Sequence, residues 1–466
     1  MPKAQLKPFF EPRNIAIVGV SRTPGRPGFW IANNLIRHSF KGEIYPINPK
    51  HGDFMGVKVY PSVEDIPGDI DLAVLMTSAR ETPNHSKECV AKGAKGIIVV
   101  SGGFSEVGEE GARLEKEIVD IAHKAGVRVM GPNMVGPINP SNNLAVSITP
   151  IKNMSRGHVA LLSQTGLMLG VLSEWMTSHW NIQLGKMVDL GNKADIDDAD
   201  ILEYLEDDEE TKVIAVHMEG VKNGKRFLDA ARKTAPEKPI IAFKTGSSES
   251  GAKSAASHTG SIAGNDLVVD AAFKQSGIIR VYDLDEFFGV IKAFVHLSLP
   301  EGSNVGIVGY SGGLCTMTVD ACEKYGLKLA GLSRETMNKI EQVYPTGFKA
   351  SHPVDLGPAM TYDANKVYET GLDAVITDNN VNCMILAIPI FPLSHTCQPN
   401  NFDAMVKIIK GNDKPLVVYM AGDEERAKRP RDTFEDAGIP TYSSITVATK
   451  ALAALVHYKE FRNQIA

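Results

Sequence analysis

Short, unbroken runs of β-branched and aliphatic residues recur along the chain, each ending in a polar or glycine-rich turn and followed by a helical pattern. Asn14–Val18 runs into a loop from Gly19 to Gly28, and residues 29–38 then read as a helix. Residues 42–47 form a second strand ending in Asn48, Pro49 and Lys50. A third, 71–76, ends in Thr77, Ser78 and Ala79, and a fourth, 96–100, reaches Ser101. Helices are expected through 86–92 and 111–125, ahead of a strand at 127–130. Strands that are apolar throughout and alternate with helices predict a parallel sheet covered on both faces, with ligands at its carboxyl edge.

The alternation continues. Residues 158–162 lead into Ser163, Gln164, Thr165 and Gly166 and a helix to about residue 179. Residues 184–190 lead into a turn over 191–195 and a helix from about Asp198, and 212–217 precede Glu219 and Gly220. The strand 239–243 then delivers a segment, 244–264, made largely of Gly, Ala and Ser, with one imidazole, His258, near its end. So many small residues predict a loop able to move or to wrap a ligand. A third round opens with 304–308, Ser311, Gly312 and Gly313, and a helix to about Tyr325. It runs on through strands near 382–388 and 415–420 to a C-terminal helix. The expectation is three α/β domains, 1–131, 132–299 and 300–466, with no repeat of solenoid period.

Totals narrow the picture. A chain of 466 residues has room for about three domains. Its 43% hydrophobic and 22% charged residues are the balance of a soluble globular protein. The net charge of −6 disfavours nucleic acid or a membrane surface as the main partner. No apolar run is long enough to span a bilayer and the first residues carry no signal core, so a cytoplasmic location is expected. The five cysteines, 89, 315, 322, 383 and 397, have no metal-binding spacing and read as reduced, mostly buried thiols. No metal motif is found.

The first loop is not a dinucleotide fingerprint: Ser21, Arg22 and Thr23 stand where GxGxxG needs its central spacing, and the second strand ends in Lys50 rather than an acid. Arg22, Arg26 and Lys50 suit a nucleotide with additional phosphates, such as coenzyme A with its 3′-phosphate; NAD and a ligand-free unit are the alternatives. Ser163–Gly166 and Ser311–Gly313 each follow a strand and open a helix. Either they hold phosphate on free amides and a helix dipole, or they are ordinary caps. Glu219 ends a buried strand, where it could take a hydrogen bond from an imidazole or pair with a lysine. His258, flanked by Ser257, Thr259, Gly260 and Ser261, is either a phosphoryl carrier or a loop histidine bonded to a backbone carbonyl. The acidic run 195–200 reads as a helix cap and a solvated face, and 206–210 as a surface loop.

These pieces, in this order and over essentially the full length, resemble the α subunit of NDP-forming acyl-CoA synthetases (acetate–CoA ligase, ADP-forming) in the succinyl-CoA synthetase superfamily. The likeness is carried by Lys244-Thr-Gly with 257–264, by 188–195, 131–136 and 160–166, and by Ser311–Gly313 with 353–356. It implies a Rossmann-like CoA-binding domain followed by two flavodoxin-like domains. It further implies that His258 is phosphorylated with Glu219 in support, and that Ser163, Thr165, Gly166, Gly260, Ser311, Gly312 and Gly313 hold the phosphate. Coenzyme A falls to the first domain, at Gly19, Ser21, Arg22, Lys50, Thr77, Ser78 and Ser101, and Asn133 to the acyl substrate. ADP or ATP, with Mg, is implied on a separate ATP-grasp β subunit, most simply in an α2β2 assembly. Three positions depart from the family pattern: Met134 for cysteine, His217 for the frequent tyrosine, and His352 for the asparagine of NPVD. The alternatives are a CoA-binding regulatory protein, or an acyltransferase-associated domain without ligase turnover.

Overall fold

The computed structural model describes residues 3–50, 52–259, 265–360, 363–392 and 399–465; the side chains of residues 3 and 255–259 lie outside that description. The chain divides into two compact units, Met1–Tyr282 and Asp283–Ala466.

The first unit holds two sheets. One comprises Asn14–Val18, Glu43–Ile47, Leu72–Leu75, Gly96–Val99 and Arg128–Met130, all parallel, with Asn14–Val18 lying between Glu43–Ile47 and Leu72–Leu75. The other places Val159–Ser163 between Leu184–Asp189 and Val213–Met218, then adds Ile240–Lys244 and Ile278–Val281 in parallel. A short antiparallel ribbon, Ile138–Asn139 and Leu144–Ala145, extends it beyond Leu184–Asp189. Central strands such as Leu72–Leu75 and Val213–Met218 are buried at every residue, which explains their unbroken apolar composition.

In the second unit Asn304–Gly309 lies between Lys328–Leu329 and Cys383–Ile390, followed by Leu416–Gly422 and Thr441–Tyr442. Val354–Asp355 also pairs with the carboxyl end of Asn304–Gly309. Helix Leu284–His296 packs along the C-terminal helix Ile445–Ile465. With the antiparallel ribbon and the short Val354–Asp355 set aside, the first strand of each sheet lies between the second and the third. The strand order therefore reverses beside the first strand, and a crevice opens at its carboxyl end.

Two expectations change. The segment after Lys244 is not a loop throughout: Glu249–Thr259 is helical. Ser248 Oγ accepts from the Gly251 amide at 3.1 Å in N-cap fashion, and Lys253 pairs with Glu249 at 2.8 Å one turn apart. Alanines at 252, 255 and 256 are strong helix formers, and this outweighs the small-residue signal. Nor is the run 195–200 a solvated face. Asp197 does cap helix Asp198–Glu206, but Asp198 and Asp200 are buried. Arg128 forks between Asp195 at 2.9 Å and Asp200 at 3.2 Å, and Arg226 reaches Asp200 at 2.7 Å. These charges join the edge of the first sheet to the second. Four of the five cysteines are buried and free, and burial pushes the Cys89 and Cys315 thiols up to about 12; Cys397 lies outside the described residues. No helix among the described residues is long and apolar enough to cross a membrane.

Candidate active site

At the first crevice the turn after Asn14–Val18 is compressed against helix Pro27–Arg37. A Cβ on Gly28 would stand 2.4 Å from the Gly19 carbonyl oxygen, so only glycine lets the helix N-terminus come this close. Arg22 donates to the Asp53 carbonyl at 2.8 Å, a neutral partner that fixes its guanidinium beside the crevice. Asn48 ties the ends of the first two strands, donating to the Val20 carbonyl at 2.8 Å and accepting from the Lys50 amide at 2.9 Å. Thr77 and Ser78 follow the third strand; Thr77 shares a hydroxyl contact with Thr82 at 3.2 Å, and Ser78 donates to Glu81 at 2.7 Å. The Ser101 carbonyl accepts from the Asn133 amide at 3.0 Å.

The second crevice is built around the end of Val159–Ser163. Ser163 Oγ accepts from the Thr165 amide at 3.0 Å, which shapes the turn, and lies 3.5 Å from Nδ1 of His217 on the next strand. Gly166 opens the helical stretch, so its amide is among those without an intrahelical partner. That stretch starts with a π-helical turn, Met168–Leu172, and becomes α-helical over Ser173–Ser178. The Gln164 side chain is 5% exposed, and its Oε1 accepts from the backbone amides of Glu219 at 2.9 Å and Gly220 at 3.2 Å. The amide of one strand end thus sets the position of Glu219 on its neighbour. Ile240–Lys244, which leads to the helix bearing His258, pairs with the strand before Glu219, with Lys244 opposite Met218.

Asp189, at the end of the flanking strand, is 2% exposed. Its two oxygens accept from the amides of Val135 at 2.8 Å and Gly191 at 3.2 Å, which fastens the turn containing Asn133 over the crevice. Burial raises its carboxyl to about 7, partly opposed by those two amides and reinforced by the nearby Glu219 carboxylate. Gly191 itself sits where a Cβ would lie 2.1 Å from the Pro132 carbonyl oxygen. The Asn133 side chain donates to Asn192 at 3.4 Å, and Asn192 reaches Glu106 at 2.6 Å. Lys193 is wholly buried; it pairs with Asp198 at 2.6 Å and donates to the Gly220 carbonyl at 3.0 Å. Burial and the Lys193 charge together lower His217 to about 4, so its ring is neutral near pH 7.

In the second unit Ser311 caps helix Gly312–Lys324, its Oγ accepting from the Leu314 amide at 3.3 Å. Asp355 stands beside this turn, accepting from the Gly357 amide at 2.9 Å, and the Leu356 amide bonds the Gly309 carbonyl at 2.8 Å.

Residues 13–140 match the CoA binding domain family, and 156–294 match the succinyl-CoA ligase like flavodoxin domain. The chain is 39% identical to the acetate–CoA ligase [ADP-forming] II subunit alpha of Pyrococcus furiosus, covering 96% of each. The chain belongs to the ADP-forming acetate–CoA ligases. It is also 39% identical to acetate–CoA ligase [ADP-forming] II of Archaeoglobus fulgidus over 98% of its own length and 68% of that protein. The dinucleotide-forming acetyl-coenzyme A synthetase 1 of Ca. Korarchaeum cryptofilum, solved in complex with phosphate and ADP, superposes with a TM-score of 0.89 at 33% identity, covering 99% of this chain and 98% of that one.

In this ligase the residues selected from sequence fall at the carboxyl ends of their strands. Gly19, Ser21, Arg22, Lys50, Thr77, Ser78 and Ser101 edge the first sheet. Ser163, Thr165, Gly166 and Glu219 surround the second crevice, and Ser311–Gly313 open the third. The His258 side chain and Gly260 lie outside the described residues; the backbone places residue 258 in the last turn of Glu249–Thr259. Sequence reasoning passed over Gln164, Asp189 and Lys193. For Asp189 and Lys193 a signal existed, since a carboxylate ending an apolar strand and a lysine in a glycine turn both invite the search for partners. For Gln164 there was none.

Proposed function

We propose that this chain interconverts acyl-CoA, ADP and phosphate with a carboxylic acid, CoA and ATP, through an acyl phosphate and a phosphohistidine at His258. Coenzyme A lies across the crevice of the first sheet, its phosphates near Arg22, Lys50 and the helix start at Pro27. Phosphate attacks the thioester carbonyl carbon, the C–S bond breaks, and CoA leaves as thiolate to be protonated. A ring nitrogen of His258 then attacks phosphorus, the P–O bond to the acyl group breaks, and the carboxylate departs. Glu219 accepts from the other ring nitrogen and stabilises the charged imidazole, while the amides at Ser163–Gly166 and those at Ser311–Gly313 each offer donors to phosphate. Phosphoryl transfer needs positioning and charge stabilisation more than proton transfer, and amide donors at helix starts provide both. Phosphohistidine finally passes its phosphoryl group to ADP.

The observation that carries this reading is the buried Glu219, held by Gln164 at the switch point of the second sheet, one strand from the segment bearing His258. The full-length likeness to a chain named subunit alpha supports a nucleotide-binding, ATP-grasp partner that holds ADP with Mg, in an α2β2 assembly within the cytoplasm. The test is incubation of the reconstituted complex with γ-labelled ATP. Acid-labile, base-stable phosphate is expected on this chain and is expected to vanish in His258→Ala. Labelling and turnover that survive the substitution would rule the relay out.

A further inference from the structure

The Gln164 amide is used at one end only. Both amides that it meets, from Glu219 and Gly220, are donors, so the oxygen faces them and the amide orientation is fixed by its partners. Its nitrogen, with two protons, has no partner among the described residues, and the residue as a whole is only 5% exposed. That nitrogen is not sealed off from solvent, so a ligand can reach it. It also lies at the carboxyl end of the central strand, between Ser163 and Thr165 and beside Glu219.

We propose that Gln164 is a catalytic residue, its Nε2 donating to an oxygen of the phosphoryl group as that group moves between the acyl phosphate and His258. The role rests on the phosphoryl relay proposed above and adds a side-chain donor to it. Charge on the phosphoryl oxygens is met by a neutral dipole whose other end is locked on the backbone. The donor therefore needs no reorganisation when the charge develops. The same bond network that orients the donor also positions Glu219, so a single side chain couples the group bracing the imidazole to the group bracing the phosphate.

Gln164→Glu separates the two functions. Its carboxyl group keeps an oxygen for the amides of Glu219 and Gly220 and loses the donor. In the complex with the partner subunit, rapid-quench measurement of phosphohistidine formation from labelled ATP is expected to show a loss of about 100-fold, with CoA binding by calorimetry unchanged. Protonation of the new carboxyl would restore an O–H donor, so the variant's rate relative to wild type is expected to climb as pH falls from about 8 to about 6. A structural clasp alone predicts neither the loss nor the climb, and a variant as fast as wild type overturns the proposal. Wild-type complex that takes no acid-labile phosphate overturns the relay itself, which keeps the two failures distinguishable. A wild-type crystal structure with inorganic phosphate tests the contact without any substitution. Nε2 within hydrogen-bond distance of a phosphate oxygen supports the role; phosphate bound away from Nε2 refutes it.

Discussion

His217 lies on the buried strand Val213–Met218, with Ser163 near one ring nitrogen and Thr245 Oγ1 3.3 Å from the other. Burial is the larger cause of its depressed pKa and the Lys193 charge the smaller, taking it from 6.5 to about 4. The sign follows directly. Above pH 6.5 the ring is neutral in both folded and unfolded chains, and nothing is lost. Below 6.5 the unfolded chain takes up a proton that the folded one refuses, so stability falls until about pH 4, by on the order of 3 kcal/mol in full. His217→Phe keeps an aromatic ring and removes the titration. Urea unfolding followed by tryptophan fluorescence suits this comparison because Trp30, Trp175 and Trp180 all belong to the first unit. Between pH 7.5 and 5 wild type is expected to lose about 2 kcal/mol more than the variant; parallel pH curves would show that the ring is not held neutral. From sequence His217 was only a departure from a family tyrosine, since its titration depends on a lysine 24 positions upstream whose burial no local pattern reveals.

Among the elements, the turns after strands were legible and their cross-links were not. A glycine-rich turn after an apolar run announces itself locally, which is why Ser163–Gly166 and Ser311–Gly313 could be located without coordinates. The run 195–200 was misread because its polarity resembles that of any exposed helix start. Its true environment is set by Arg128, 67 residues from Asp195, and by Arg226, 26 residues from Asp200. The stretch 249–259 was misread for the opposite reason: Ala, Ser and Gly together say small without saying helical. Lys193 and Asp198 show what such hidden links contribute. Both side chains are almost wholly inaccessible, and Lys193 also holds the Gly220 carbonyl beside Glu219. Removing one member of a buried pair strands the other charge, so Lys193→Met is expected to destabilise the first unit by about 3–5 kcal/mol. Adding Asp198→Leu should recover a substantial part. A double-mutant cycle by chemical unfolding measures the coupling, and strictly additive losses would show that the two charges do not depend on each other.

At the scale of the whole molecule, one strand order occurs three times, and each occurrence puts a turn with helix-start amides beside a central first strand. The position of the last boundary has a physical consequence. Helix Leu284–His296 begins at its own cap, Asp283, whose side chain accepts from the Glu286 amide at 2.7 Å. Within the second unit it buries Phe287, Phe288, Val290 and Ile291 completely, pairs Lys292 with Glu435, and offers the Gly289 carbonyl to the Tyr442 hydroxyl at 2.9 Å. Four such side chains at about 1.5–3 kcal/mol each amount to a sum comparable with the net stability of an ordinary domain. A fragment starting at 283 is therefore expected to unfold cooperatively and to give dispersed amide resonances. One starting at 300, the boundary drawn from sequence, leaves the apolar face of Ile445–Ile465 uncovered and Glu435 without its lysine, and is expected to aggregate or bind a hydrophobic dye. Equal cooperativity in the two fragments would show that Leu284–His296 is not required for this unit to fold, and the boundary at 300 would then stand.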